Sequence, residues 1–386
     1  MNDIAIIPMR AGSKSIPHKN RKKLLGRPLF TYTLSEAIFS NLSKVYIFTD
    51  DEAIKGYINK EYYWTNKVEC INRGAENADD KASSESAMIE LLEKIDSSYD
   101  TISLIQATSP LLTRVYINKS LDKIKKEGYD STVSVVESKR FFWNKKGESI
   151  NYDYNTRPIR QDFEGVFVEN GAIYTTTRQQ FFKSKNRLGG KVGLVVMPED
   201  TMTEIDEPND WDIVEKLMTN KLSLSKAKPD KIKAVVLDVD GVFTNGEVTN
   251  SIDGEFSKSF SMRDGMGIEL LSESGVKIIV MTSEESSIVA KRMSKLKIDE
   301  TYLGVKDKFS RLEQVLIENN LDRKNIAYMG DDINDLANLC SAGWSFCPED
   351  AENEVKQVAD FTISKNGGKM AIRELMKIII KINNRF

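Results

Sequence analysis

Histidine and cysteine are scarce in this chain, which carries one His and three Cys among 386 residues. Cys70, Cys340 and Cys347 are spaced too widely or irregularly for a zinc pattern or a disulfide framework, and so few thiols fit a reducing cytosol. His18 reads as a loop residue, not as a general base. An excess of either charge is also missing: 55 Lys and Arg against 58 Asp and Glu leave a net charge of −3. That gives no footprint for nucleic acid or an anionic membrane. Long hydrophobic runs are absent too. The run Met376 to Ile382 is broken by Lys377 and Lys381, is far too short to cross a bilayer, and reads as a terminal amphipathic helix. Ile4-Ala5-Ile6-Ile7 has the shape of a strand and not of a signal peptide. No internal repeat or low-complexity tract stands out. The expectation is a cytoplasmic protein without nucleic-acid or membrane partners.

What is present is the pattern of an α/β protein. The length suffices for two domains, each with its own core. A composition of 40% hydrophobic and 29% charged residues is ordinary for a globular chain. Short apolar strands alternate with helical stretches. In the first half the strands are Ile4–Ile7, Val45–Thr49, Thr101–Gln106, Ser131–Val136, Ala172–Thr176 and Val192–Met197, and a helix Asp210–Thr219 closes the domain. The lysine-rich stretch Leu222 to Asp230 reads as a linker. A second α/β unit opens at Ile232–Leu237, with strands at Val276–Thr282, Glu300–Leu303, Ile326–Met329 and Trp344–Cys347. Its helices start near Gly267, Ser286 and Lys308. The division is 1–221, linker 222–230, and 231–386.

Each unit opens with a phosphate-handling loop. In the second, Ala234 to Leu237 deliver Asp238 to the edge where open parallel sheets bind ligands. Asp240 follows two residues on, and Gly241 permits a sharp turn. One Asp can attack phosphorus to form an aspartyl-phosphate, while the other protonates the leaving alkoxide and later activates water. Two carboxylates repel a phosphate dianion, so a hard cation such as Mg²⁺ is required. Thr282 at a strand end can donate to a phosphoryl oxygen, Lys308 supplies positive charge, and Gly330-Asp331-Asp332-Ile333-Asn334-Asp335 brings further carboxylates. These elements, in this order, resemble the haloacid dehalogenase (HAD) superfamily of phosphatases. The run Asp238 to Gly246, the block Phe260 to Gly267 and Asn366-Gly367-Gly368 narrow the resemblance to its Kdo 8-phosphate phosphatase branch. That branch implies a capless HAD-like Rossmannoid domain, a tetramer, Arg263 at the substrate, and Asp238, Asp240 and Asp331 at the metal. The interval from Gly246 to Arg263 leaves room for a β-hairpin and not for a cap. Thr282-Ser283-Glu284 and Gly367-Gly368-Lys369-Met370 depart from the branch's usual Thr-Gly-Arg and Gly-Gly-Arg-Gly. Relatives that act on nine-carbon 2-keto-3-deoxy acid 9-phosphates carry Glu after the Thr, with cations further along. Glu284, Arg292 and Lys295 resemble that set, although the two cations also fit a solvated helix face.

In the first unit, Ile4–Ile7 feed Arg10-Ala11-Gly12-Ser13-Lys14, with Lys19-Asn20 beyond. This is neither a P-loop nor Gly-X-Gly-X-X-Gly, yet its three cations can hold a triphosphate. Ile7 to Lys14, with Lys19-Asn20, resembles the signature of the acylneuraminate cytidylyltransferase (CMP-sialic acid synthetase) family. The resemblance continues through Thr49-Asp50-Asp51, Arg73, Ala82-Ser83-Ser84, Leu104 to Leu111, Arg157 to Asp162, Glu169 to Tyr174 and Glu204-Ile205-Asp206. It implies a Rossmann-like nucleotidyltransferase domain in which the C2 hydroxyl of a sugar acid attacks the α-phosphorus of CTP and pyrophosphate leaves. Arg10, Gly12, Ser13, Lys14, Lys19, Asn20, Arg73, Ala82 and Ser84 would then bind the nucleotide, with Arg10 and Lys19 also in catalysis. Glu204 and Asp206, alternating on an extended segment, would hold Mg²⁺. Gln106, Arg160, Asn170 and Tyr174 would bind the sugar acid, Arg160 through its carboxylate. Core packing competes for Tyr174, and a plain turn for Asn170-Gly171. Where the family usually has Asp, this chain has Glu204.

Together the halves resemble the two-domain form of that family. The resemblance implies a bifunctional chain that dephosphorylates a nonulosonate 9-phosphate and then activates the free acid, N-acetylneuraminate or KDN, with CTP. It also implies a homotetramer assembled through the HAD-like domain. Two alternatives stay open: the C-terminal domain is mainly a tetramerisation scaffold, or the sugar is Kdo, legionaminate or pseudaminate.

Overall fold

The computed structural model describes residues 2–77, 82–95, 98–224, 226–229, 231–252 and 254–385. They form two compact units, one of Met1–Lys22 and Pro28–Glu215, the other of Lys23–Arg27 and Lys216–Phe386.

The first unit is built on a seven-stranded sheet in the order Val68–Asn72, Lys44–Thr49, Asp3–Met9, Thr101–Ile105, Val166–Thr177, Ser131–Ser138, Val192–Met197. The first four strands run parallel. Val166–Thr177 is antiparallel to both of its neighbours, and Val192–Met197 is parallel to Ser131–Ser138. The strand Asp3–Met9 is apolar and almost wholly buried, as a strand covered on both faces must be. Its side chains alternate between two cores: Ala5, Ile7 and Met9 pack on one face, Ile4 and Ile6 on the other. Val192–Met197 alternates exposed and buried positions. Val68–Asn72 escapes the sequence reading because its residues are mixed in polarity and none is fully buried. The helix Pro208–Leu224 outruns the expected Asp210–Thr219, so Leu222 to Leu224 are helical and not linker. Ser225 and Asp230 of the expected linker lie outside the described residues.

The second unit carries a six-stranded, all-parallel sheet: Glu300–Tyr302, Lys277–Met281, Ala234–Leu237, Ile326–Met329, Trp344–Cys347, Phe361–Thr362. Counted along the chain this is the doubly wound order 3-2-1-4-5-6. Ala371–Asn383 buries Ile372, Leu375, Met376, Ile379 and Ile382 at helical spacing, the expected amphipathic terminal helix, and packs on Met262–Glu273. That second helix starts earlier than the expected Gly267. Ser261 caps it by accepting from the Asp264 amide. Between Gly246 and Arg263 the described residues form only the hairpin Thr249–Ser251 and Gly254–Ser257. Among the described residues no helix is long and apolar enough to cross a membrane.

In both sheets the strand order reverses beside the first strand. In the first unit the reversal lies between Asp3–Met9 and Thr101–Ile105, in the second between Ala234–Leu237 and Ile326–Met329. Loops leaving the carboxyl ends of such a strand pair diverge and leave a crevice. Arg10 and Gln106 follow one pair, Asp238 and Asp331 the other.

Candidate active sites

At the first crevice the loop after Asp3–Met9 curls over a cavity of about 270 Å³. Arg10, Gly12, Ser13, Lys19, Asn20, Arg73, Ala82, Ser84 and Gln106 all line it, so residues from five separate sequence blocks converge. Asp50 Oδ1 accepts from the Ala11 amide at 2.8 Å and pins the loop. The Arg73 amide donates to Thr49 O at 3.1 Å, which places Arg73 beyond the neighbouring strand. Lys19 Nζ donates to Ile205 O at 2.8 Å and to Asp206 Oδ1 at 3.1 Å. The Ser15 hydroxyl also donates to Asp206 O. The basic loop is therefore tied to the acidic segment that holds Glu204. Burial pushes the Glu204 carboxyl up to about 7, with Asp206 adding to the shift and Lys19 opposing it.

Other expected residues lie elsewhere. Lys14 is exposed and is not among those lining the cavity. Arg160 is exposed and lines a separate cavity of about 810 Å³ with Lys139, Arg140, Arg157 and Glu199. Asn170 is buried, and its amide nitrogen donates to Thr201 O at 3.2 Å and Thr201 Oγ1 at 3.0 Å. Tyr174 packs in the core with Ile6 and Leu104, and its hydroxyl donates to Glu169 Oε2 at 3.0 Å.

The second crevice is more tightly built. Asp238 is buried; its Oδ1 accepts from the Val239 amide at 2.7 Å and its Oδ2 faces Lys308 Nζ at 2.8 Å. Lys308, with no exposed side-chain surface, also meets Asp335 Oδ1 at 2.8 Å. Asp335 accepts in addition from the Tyr328 hydroxyl at 2.6 Å and the Asp331 amide at 3.3 Å. Asp240 Oδ1 receives Lys258 Nζ at 2.6 Å and the Thr244 hydroxyl at 3.3 Å. Gly241 has φ +83°, and a Cβ there would lie 1.9 Å from Asp331 Oδ2, so the turn and the carboxylate can coexist only with glycine. Thr282 follows its strand, buried, with its hydroxyl accepting from the Glu284 amide at 3.3 Å. The hydroxyl proton stays available to an incoming oxygen.

Oxygens of Asp238, Asp331 and Asp335 lie within 4.8 Å of one another, and Asp331 Oδ1 is buried without a hydrogen-bond partner. Three clustered carboxylates with one lysine leave excess negative charge, which fits a hard cation. Burial pushes Asp331 up to about 8, reinforced by Asp238 and Asp335, and pushes Asp238 up to about 7 against the pull of Lys308. Burial works to discharge Lys308, but the two carboxylates outweigh it and hold the ammonium above its ordinary range. The lysine's charge is secure; the carboxylates are the poised groups.

The expected substrate residues sit further out. Glu284 pairs with Lys306 at 3.0 Å, both exposed. Arg292 lies 5.7 Å from the Phe260 ring centre, and Lys295 is exposed in the last turn of the same helix. Arg263 is exposed, its Nη1 at 3.2 Å from Met370 Sδ. Asp335 and Lys258 belong to this cluster although the sequence reading did not single them out. Asp335 lay within the quoted acidic loop, whereas nothing in the sequence connects Lys258 to Asp240.

Residues 4–207 match the family described as cytidylyltransferase, and residues 282–372 match that described as haloacid dehalogenase-like hydrolase. Over 390 residues the chain is 32% identical to N-acylneuraminate cytidylyltransferase A of Danio rerio, covering 99% of this chain and 89% of that protein. It is 32% identical over 392 residues to N-acylneuraminate cytidylyltransferase of Oncorhynchus mykiss, with the same shares of each. A 158-residue stretch, 41% of the chain, is 34% identical to the 3-deoxy-D-manno-octulosonate 8-phosphate phosphatase KdsC of Haemophilus influenzae and covers 88% of it.

Proposed function

The chain belongs to the cytidylyltransferase family and ends in a KdsC-like HAD phosphatase, and from that premise we propose that it performs two consecutive steps on one sugar acid. Residues 231–386 hydrolyse the 9-phosphate of a nine-carbon 2-keto-3-deoxy acid. Residues 1–221 transfer CMP from CTP to the anomeric 2-hydroxyl of the freed acid, N-acetylneuraminate or KDN, and release pyrophosphate. The observation that carries this reading is that each switch-point crevice gathers groups suited to phosphorus chemistry, cationic in one unit and carboxylate-rich in the other. Glu284, Arg292 and Lys295 beyond Thr282 support a longer acid than Kdo.

In the phosphatase, Asp238 attacks phosphorus and carries the phosphoryl group as an aspartyl-phosphate. Asp240 gives its proton to the leaving alkoxide and later takes one from water. Lys308 and Thr282 hold the equatorial oxygens. Asp238, Asp331 and Asp335, with Asp240 beside them, would hold Mg²⁺, which supplies charge neutralisation so that an anionic nucleophile can approach an anionic ester. In the transferase, Arg10 and Lys19 neutralise the triphosphate, and Arg73, Ala82 and Ser84 shape the nucleotide end of the cavity. Gln106, which also lines the cavity, would meet the acceptor, and Glu204 and Asp206 would hold a second Mg²⁺. Arg160 and its neighbouring arginines suit the acid's carboxylate. The reading includes a cytoplasmic homotetramer assembled through the C-terminal unit, which sedimentation velocity tests.

The deciding experiment is a panel of keto-acids with CTP and Mg²⁺, scored for pyrophosphate, beside the same acids as terminal phosphates, scored for inorganic phosphate. Turnover should peak with nine-carbon acids in both arms. No turnover of any nine-carbon acid would defeat the reading.

A further inference from the structure

The segment Lys23–Arg27 belongs to the same compact unit as the phosphatase residues, although they lie far downstream. It forms a two-residue turn between the short strands Lys23–Leu24 and Arg27–Pro28. Leu25 and Gly26 both have positive φ, 45° and 77°, the signature of a type I′ turn. Such a conformation is unfavourable for Leu, so the surroundings hold the turn in shape.

Those surroundings are two loops of the phosphatase crevice. A Cβ at Gly26 would lie 1.9 Å from Ile333 O and 2.9 Å from Asn334 Cα, so the turn lies flush against the loop that carries Asp331 and Asp335. Arg27 is 2% exposed, and its guanidinium grips Asp307 with Nε at 2.9 Å from Oδ1 and Nη2 at 3.2 Å from Oδ2. Nη2 also donates to Ser310 Oγ at 3.0 Å, and the guanidinium lies 4.4 Å from the Phe309 ring centre. Asp307 caps the helix Lys308–Glu318, its Oδ1 accepting from the Ser310 amide at 3.3 Å. The first residue of that helix is Lys308.

We propose that Arg27 is a positioning residue of the phosphatase, locking Asp307 and thereby the helix start that aims Lys308 at Asp238 and Asp335. A planar, bidentate, buried guanidinium fixes direction as well as distance, which a lysine at the same place would do less well. Lys308 has to satisfy two carboxylates at 2.8 Å each, so a small shift of its helix start breaks one of them. The phosphatase site is thereby completed by a residue 280 positions upstream of Asp307. This inference rests on the phosphatase reading above.

The test uses the full-length chain as wild type, Arg27→Met, Arg27→Lys and Gly26→Ala, with 4-nitrophenyl phosphate and Mg²⁺. Phosphatase kcat is divided by CTP-dependent pyrophosphate release from the same sample, so that loss of folded protein cancels. In Arg27→Met the ratio should fall by roughly 10- to 100-fold, the scale of an ångström-level misplacement of a catalytic group, with KM little changed. Arg27→Lys should recover part of the loss, and Gly26→Ala should show a similar fall by a separate clash. An unchanged ratio in Arg27→Met, or equal loss in the methionine and lysine variants, overturns the proposal. Absence of hydrolysis by the wild type would defeat the phosphatase reading itself and this inference with it.

Discussion

Replacing Asp238 by Asn should abolish phosphate release while leaving the fold nearly as stable as before. The Asp238 carboxylate attracts Lys308 at 2.8 Å, about 6 kcal/mol at an effective dielectric of 20. It also repels Asp331 and Asp335, each within 4.8 Å, by about 3.5 kcal/mol or more apiece when all three are ionised. Attraction and repulsion nearly cancel, and the amide sheds the desolvation penalty of a buried charge. Its carbonyl oxygen can still accept from the Val239 amide, as Oδ1 does now at 2.7 Å. The denaturation midpoint should therefore move by no more than the equivalent of about 1–2 kcal/mol, well below the roughly 3–5 kcal/mol of a broken buried pair. Catalysis has no such compensation, because the amide cannot attack phosphorus. Phosphate release from a nine-carbon acid 9-phosphate should fall by on the order of 10⁴-fold or more. Urea melts and a phosphate-release assay on the same preparation decide both halves. Release at the wild-type rate would refute the nucleophile assignment and favour the scaffold alternative. A large loss of stability would refute the charge argument by showing that the Lys308 pair dominates.

Arg10→Met should raise the KM for CTP and slow pyrophosphate release by roughly 10²- to 10³-fold, the scale of a lost transition-state cation; phosphate release from the 9-phosphate serves as the control. Asp331, raised from an ordinary 3.8 to about 8, holds its proton below that value, so protons compete with the cation. Mg²⁺ affinity, measured by calorimetry, should rise with pH up to about 8 and then level off. The same shift gives a sign for metal-free stability. Between those two values the folded state binds more protons than the unfolded one, so stability should fall as pH rises across that window. Gly241→Ala meets both a φ of +83° and a 1.9 Å clash with Asp331 Oδ2. It should cost roughly 1–3 kcal/mol in a denaturant melt and remove phosphatase activity, while pyrophosphate release persists.

Much of this architecture was legible because buried parallel strands announce themselves as short apolar runs. Ile326–Met329 and Trp344–Cys347 fall where the residues place them. Groups delivered directly by those strands were legible for the same reason: Asp238, Thr282 and Asp331 each follow a strand end. The start of Met262–Glu273 was hidden by Gly265 and Gly267, which lower helix propensity, yet a Cβ at Gly267 would sit 3.2 Å from Arg373 Cα, so packing favours glycine there. Partners set by tertiary structure alone were illegible. Lys258 reaches Asp240 from 18 residues away and Arg27 reaches Asp307 from 280, and no periodicity encodes either pairing. Arg160 shows the converse, a motif residue whose place depends on the loop path around it and which lines a cavity of its own.

The energetics of the second crevice bear on the choice between an active phosphatase and a scaffold. Burial pushes both Asp238 and Asp331 well above the ordinary carboxylate range, with Asp335 adding to each shift and Lys308 opposing both. Glycine is required at Gly241 so that the turn can pass Asp331, and Lys308 is held without solvent contact. The raised carboxylates weaken the metal-free fold, and an assembly platform needs none of these features, because apolar residues of similar size would pack the same space more stably. The strain is useful only to a site that must take up a cation and a phosphate and hold a nucleophile ready between them. On this argument, apolar replacement of Asp331 (Asp331→Leu) should stabilise the metal-free protein while ending phosphate release. Such an opposition between stability and turnover separates a working crevice from a structural remnant. A variant that lost stability and kept turnover would show that the carboxylate serves packing instead.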